Sequence, residues 1–466
     1  MKPYTRRNRP SKRPTARRPV GLVESFEPRV LLAIDVTVGV GAPARTLSFT
    51  DPDGTAATIR VAGGAATVTF DGTNLASTPA GTAVAVTGTN VVMTNLVITG
   101  PNPNVTVNTA GDGTVNLGGL SAAGPVAGFR GPGVVLGGTT TLANGIGRLE
   151  LGGTQGATIN ITRGGQARLQ DAALTIGTAQ DTSINSQQPL SQLRVGSWAA
   201  GVPGQPDQIT TPRINTIQSA GDFAAGISLS GNGQAVGRPI LGNVRVGGAL
   251  AAGGAWDVDG RASRVAAGSV APGWSGVFGD VSSFAVANDF AGALTANSIN
   301  ALSAGSITNA DITLNRAAGV RASALNRLAV RGAISGTDVR ANADIGSVSA
   351  RSITGSTIYA GVTSPGGALP TSAAAFTSAA TIKNVTIGTR GGTTPTFVDS
   401  NIAAATLGRI KLGAVQVSNA GEPFGLAAQT VRSLSAVGAA GAPVRESNLT
   451  EPADSIVQSD FAVRIF

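Results

Sequence analysis

A short pattern returns along most of this chain: apolar, any residue, apolar or small, then Gly, Ser or another turn-forming residue. It stands as Leu193-Arg194-Val195-Gly196, Val244-Arg245-Val246-Gly247, Val265-Ala266-Ala267-Gly268 and Leu302-Ser303-Ala304-Gly305. It returns at Leu328 to Gly332, Val348 to Ser352, Val385 to Gly388 and Ile410 to Gly413. With Phe284 included, successive starts from Val244 to Val348 lie 21, 19, 18, 26 and 20 residues apart. That period is too short for a domain and too long for one strand. It is the length of one supersecondary unit that buries its apolar face by stacking on its neighbours.

Inside a unit, further strands are legible. From Ile345 to Ala360 apolar and polar residues alternate around Val348, Ile353 and Ile358, with small turn residues between the runs. Period two marks strands with one face inward. Three such strands per repeat predict an all-β fold, a parallel β-helix (β-solenoid), right-handed by the general preference of parallel crossovers. Composition agrees, with 65 Gly, 4 % aromatic and 13 % charged residues. Val, Ile and Thr suit a pleated surface, and Gly supplies the positive φ that tight turns require. Residues 193–466 carry the solenoid repeats, and residues 35–192 form a Thr/Gly-rich β region, as early coils or a capping β-domain. Longer loops are expected at Gly201 to Pro212, Ser364 to Thr377 and Thr389 to Thr396, where Gly and Pro cluster. The 37-residue step from Val348 to Val385 contains one of them. The alternating apolar residues from Asp454 to Phe466 are expected to close the last coil.

The formal charge of +9 is unevenly placed. Residues 1–32 hold nine basic side chains against Glu24 and Glu27, a net +7, which leaves 25 basic and 23 acidic residues, or +2, on the rest. Residues 1–34 therefore read as a disordered basic arm. A nucleic-acid partner is not expected, because the basic residues fall on the arm and no aromatic-interleaved stripe is legible on the body. Cys and His are both absent, which excludes disulfides, Cys/His zinc sites and Ser-His or Cys-His nucleophile pairs. No stretch approaches the roughly 20 apolar residues of a transmembrane helix, and Val30 to Ile34 is shorter than an ordinary secretory signal core.

At the end of the arm stands Phe26-Glu27-Pro28-Arg29-Val30-Leu31-Leu32-Ala33. This segment resembles the LEPR-XLL segment near the start of many large planctomycete proteins, matching at Glu27, Pro28, Arg29, Leu31 and Leu32 and departing at Phe26, where that family has Leu. The body likewise resembles planctomycete repeat proteins of β-helix type. The resemblance implies an exported protein of the cell surface or exterior, with Phe26 to Leu32 as a sorting motif read by export machinery.

Candidate sites are few. Asp257-Val-Asp259 places two carboxylates on one strand face near Arg261 and Arg264, the residue types of a polysaccharide lyase or hydrolase. No second Asp pair one repeat away is legible, and solvated strand-end carboxylates are the expectation. Asp51-Pro-Asp53-Gly54 has the opening of a calcium loop, but Ala62 stands where an EF-hand needs Glu, so a plain Asp-Gly turn is expected. Gly63-Gly64 and Gly145-Ile-Gly147 lack the rest of a phosphate-loop signature and read as turns. The Asn-x-Thr triplets at Asn104, Asn160, Asn384 and Asn448 are formal glycosylation acceptors only. The Thr alternations at Thr67-Val-Thr69 and Thr139-Thr-Thr141 are not kept repeat after repeat, as an ice-binding face would need. Arg321, Arg327, Arg331, Arg340 and Arg351 fall where they could line one side and attract acidic polysaccharide, with a solvated face as the plainer expectation. At least two of Trp198, Trp256 and Trp274 are expected inside. The sequence thus predicts a structural or adhesive surface protein with no nominated catalytic, cofactor or metal residues. Its expected partners are extracellular polysaccharide or envelope components. A carbohydrate-active β-helix enzyme and a carbohydrate-binding adhesin are the alternatives.

Overall fold

Thr381–Ile387, with sequence TIKNVTI, shows how these residues make a strand: Ile382, Val385 and Ile387 are buried while Lys383 and Thr386 face outward. The same alternation runs through the chain, and the computed structural model is all-β, about 67 % strand, with strands joined into one continuous sheet dominated by parallel pairing. It describes residues 33–110, 113–163, 171–199, 201, 207–232, 237–316, 323–388, 394–438 and 441–466. Residues 1–32, which hold the sorting motif, lie outside them, as does Arg321. Among the described residues the only helical elements are short 3-10 turns, and no helix is long and apolar enough to cross a membrane.

Parallel pairing arranges the strands in three columns. In the first, Val105 pairs with Phe129, and the register continues through Leu149, Leu174, Leu193, Ile217 and Val244. It runs on through Val265, Phe284, Leu302, Leu328 and Val348, so the repeat starts read from the sequence are direct partners. Val348 then pairs with Val385 across the longest insertion, and Ile410 and Leu434 follow. A second column passes through Trp198, Phe223, Leu250, Val270, Phe290 and Ile307. A third passes through Ile184, Ile209, Ile227, Trp256 and, further on, Ile312, Val339, Ile358 and Ile402. The inward side chains of all three share one core. Each large apolar side chain buried there contributes about 1.5–3 kcal/mol.

Both ends change to antiparallel pairing. Ile34–Gly39 pairs with Ala65–Ala80, Thr46–Thr50 with Ala56–Ala62, and Ala56–Ala62 with Asn104–Thr109. Thr46–Thr50 already pairs parallel with Ala83–Thr99, and parallel pairing becomes the rule where Asn104–Thr109 meets Val126–Leu136 and Ala83–Thr99 meets Val115–Ala122. It crosses residue 192 without a break, since Leu190–Trp198 pairs on both sides. At the other end Pro443–Leu449 lies antiparallel on Thr430–Val437, while Phe461–Ile465 adds parallel to Phe424–Ala428 and carries Ile456–Gln458 antiparallel. These strands cover edges that would otherwise invite further pairing.

Most glycines of the repeat motif have a different reason from the one expected. Many turn glycines do have positive φ, Gly388 of the motif among them, but Gly196, Gly247, Gly268, Gly305 and Gly332 do not. They are forced by close approach of neighbouring strands: a Cβ on Gly196 would lie 2.3 Å from the Gly177 carbonyl oxygen, and one on Gly177 would lie 2.1 Å from that of Gly152.

The loop predicted at Ser364 to Thr377 leaves the third column and folds back on it. Leu369 packs with Tyr359, Val362, Ala403, Ala427 and Ala462 in a second, smaller core. The outward positions under the loop, Ala403, Ala427 and Ala462, are small enough to admit it. Arg464 ties it down by donating from Nη1 to the Leu369 and Pro370 carbonyls at 3.1 and 3.0 Å.

Candidate functional site

Register decides which outward side chains meet. Asp257 lies on the third column beside Ser228 and Val277, exposed to solvent. Asp259, two residues on, sits past the end of its strand and lines a polar cleft of about 730 Å³. Asp257 is not among the residues that line the cleft, which joins Asp259 with Asp280 from the next repeat. Arg238, Arg261 and Arg316 line the same cleft. Asp280 Oδ1 accepts from Ser298 Oγ at 2.5 Å, and Arg261 Nη2 donates to Ser282 Oγ at 3.1 Å. Arg316 Nη1 donates to the Ser323 carbonyl at 3.0 Å, while its buried Nε has no partner among the described residues. The cleft offers two anionic and three cationic groups, a set suited to a sugar chain that carries its own charges.

The Asp51 to Gly54 segment is an Asx turn. Asp51 Oδ1 accepts from the Asp53 and Thr55 amides at 3.2 and 3.0 Å, and Asp53 Oδ1 from the Thr55 amide at 2.9 Å. Burial pushes the Asp51 carboxyl above its ordinary range, and its hydrogen bond with Asp51 holds Asp53 below its own. Both carboxylates are thus engaged by their own turn, and Gly54 adopts φ +93° there. No group of three or more acidic side chains placed to hold a metal ion occurs among the described residues.

The arginines grouped in the sequence do not share one side. Arg327 is exposed on the first column. Arg331 donates to the Ala287 carbonyl at a corner. Arg340 is on the third column, 2.6 Å from Asp338 Oδ2 and 5.5 Å from the centre of the Tyr359 ring. Hydroxyl and amide side chains do align over part of that column: Thr139, Thr158, Ser183 and Gln208 form one row, and Thr141, Asn160, Asn185 and Thr210 the next. Thr67 and Thr69 instead bond across an antiparallel pair, to Thr37 and Asp35. All three Trp residues are inside, in an edge-to-face series Trp198–Phe223–Trp256–Trp274 with ring centroids 5.6, 6.0 and 5.7 Å apart.

Apart from Arg327, sequence reading missed the outward face of the first column. Arg130, Arg194, Arg245 and Lys411 occupy outward positions immediately after the ladder residues, and Arg148, Arg264, Arg327 and Arg409 those immediately before. Of the carboxylates on the described strands that carry this column, Glu150 bridges Arg130 and Arg148 at 3.4 and 2.8 Å and Asp280 accepts from Ser298 Oγ at 2.5 Å, while Glu446 lies opposite Leu434 on the antiparallel end strand. The signal was present: the second residue of the motif is Arg or Lys in Leu193-Arg194, Val244-Arg245 and Ile410-Lys411.

No protein-family model, curated protein or solved structure matches the chain.

Proposed function

We propose that the three columns are the three faces of a right-handed parallel β-helix, and that the chain is an exported structural or adhesive protein of the cell surface, envelope or matrix. One observation carries this reading: the register passes unbroken from Val105 to Leu434, so the chain builds a long, regular surface around a narrow core. At about 4.8 Å per step that column is roughly 65–70 Å long. Such a body presents side chains at fixed spacing, which suits a scaffold or a binding face for a polymer. The resemblance of Phe26 to Leu32 to an LEPR-XLL segment supports export.

The cleft between Asp259 and Asp280 favours a second reading, a carbohydrate-active enzyme, because it brings two carboxylates and three arginines from neighbouring repeats into one groove. A screen of polysaccharides for binding and depolymerisation, with and without Ca²⁺, separates the two. Binding without cleavage is the adhesive result, and silence on both leaves a passive scaffold. Cleavage that disappears in Asp259→Asn and Asp280→Asn variants would replace the scaffold with an enzyme. Surface proteolysis of intact cells tests export: the wild-type chain is expected to be cleaved from outside, and a chain lacking Phe26 to Leu32 to be protected.

A further inference from the structure

From the outward face of the first column we infer an anion-binding surface for an acidic polysaccharide, a chain of carboxylate- or sulfate-bearing sugars, anchored by Lys383, Arg409, Lys411 and Arg432. This deepens the adhesive reading and rests on it. The four side chains come from three successive strands, Thr381–Ile387, Thr406–Val415 and Thr430–Val437, and all are exposed. None of them forms an ion pair with another described residue. Elsewhere in the structure Arg130, Arg148, Arg213 and Arg340 each have a carboxylate within reach. Like charges on neighbouring strands repel, so the fold gains nothing from this grouping.

The local shape fits an anionic group. Lys383 and Arg432 lie on either side of Gly408, one strand away in each direction, so their Cα atoms are about 10 Å apart. Gly408 offers no side chain between them, and a Cβ there would lie 2.1 Å from the Lys383 carbonyl oxygen, so the close packing of the strands keeps the position empty. The result is a notch of about 490 Å³ with Gly408 at its floor, lined by Lys383, Arg409 and Arg432 together with the hydroxyls of Thr381 and Ser433. Lys411 and Arg445 border the next hollow along the same face, of about 380 Å³. A row of cations with hydroxyl neighbours recognises repeated anionic groups on a hydroxylated chain. A single-stranded nucleic acid would be expected to use exposed aromatic platforms, and here the Trp side chains are in the core.

Affinity electrophoresis of the full chain tests this with polygalacturonate, dextran sulfate, neutral dextran and a thymidine oligonucleotide as probes. The wild-type protein is expected to be retarded by the first two and not by dextran. Replacing Lys383, Arg409, Lys411 and Arg432 together by Gln should weaken polygalacturonate binding at least about tenfold and shallow the slope of log affinity against log salt by about three. A control chain with Arg6, Arg7, Arg9 and Lys12 replaced by Gln loses the same number of charges from the arm and should keep the binding of the face. The milder pair Lys383→Gln and Arg432→Gln, checked by circular dichroism, covers the case in which four changes disturb folding. The inference is overturned if the arm variant loses binding while the face variant keeps it, or if the oligonucleotide is the tighter ligand of the same four residues. Either outcome leaves the scaffold reading intact. That reading fails separately, by polysaccharide cleavage.

Discussion

Replacing Gly196 by Ala adds one methyl group and should destabilise the fold by about 1 kcal/mol. In the unfolded chain, Ala has fewer conformations to lose than Gly, which favours the variant by about 0.4–1 kcal/mol where the native backbone suits Ala. Gly196 does not have positive φ, so no backbone penalty offsets this gain. The contact does: the new Cβ would lie 2.3 Å from the Gly177 carbonyl oxygen and 3.3 Å from its carbon, and these are backbone atoms with no rotamer to change. Relief requires moving two hydrogen-bonded strands apart, and overpacking of this kind costs about 1–3 kcal/mol. The Gly196 carbonyl also accepts from the Gly221 amide at 2.7 Å, so movement strains the next step of the stack. Gly137 is the control. It is exposed and lacks positive φ, and a Cβ there meets nothing nearer than the Gln155 carbonyl oxygen at 3.9 Å, so Gly137→Ala should be neutral or slightly stabilising. Urea unfolding followed by Trp fluorescence reads the difference, because Trp198 lies two residues from Gly196 and is fully buried. Equal midpoints for the two variants would refute the close-approach explanation of the motif glycines.

Leu302→Ala removes a fully buried side chain that stacks between Phe284 and Leu328, and should cost about 3 kcal/mol, read as a lower urea midpoint. Tyr359 gives the pH dependence. Burial raises its phenol above the ordinary value near 10, so its contribution is complete below pH 10 and is lost as pH rises beyond it. Melting temperature should therefore fall in alkali, and Tyr359→Phe should remove that part of the fall. The same variant costs about 1 kcal/mol at neutral pH, because the hydroxyl donates to the Gly367 and Ala368 carbonyls at 2.9 and 2.6 Å. Asp454→Asn, which weakens acceptance from the Thr450 and Glu451 amides, should blunt acid sensitivity. Those amides hold the Asp454 carboxyl below its ordinary range, so its stabilisation is present above that range and lost as pH falls.

Period two and a repeat near 20 residues were enough to read the strands, because the inward residues at Val348, Ile353 and Ile358 have no freedom to be polar. The starts from Leu193 to Ile410 were legible for the same reason. The step from Val348 to Val385 was legible as a loop, but not that the loop folds back on Ala403 and Ala427. Outward contacts were not legible, since they depend on which residues become neighbours some 18 to 26 positions apart. Asp280 was missed as the companion of Asp259 in the cleft on that account. Gly388 does adopt the positive φ of a turn, but Gly196, Gly247, Gly268, Gly305 and Gly332 were misattributed to turn geometry, because a close approach between strands needs the partner's position. The switch from antiparallel to parallel pairing near residues 104–117 left no mark that alternation could reveal.

The inward and outward residues of the first column answer to different constraints, and this separates fold from function. Inward, Val265, Phe284, Leu302, Leu328 and Val348 vary only among apolar shapes that fill one core. Outward, the fold asks only for soluble side chains, and the third column meets that demand at most positions with Thr, Ser, Asn and Asp. On the first column Ser, Thr, Asn and Gln are joined by Arg130, Arg148, Arg194, Arg245, Arg264, Arg327, Lys383, Arg409, Lys411 and Arg432, against Glu150 and Asp280 on the described parallel strands that carry it, although alternating signs would have relieved repulsion between neighbours. A mixed face would serve solubility equally well. The bias in sign is therefore the part of this surface that folding does not explain, and it is most concentrated around Gly408, where the strands leave a notch between two cations.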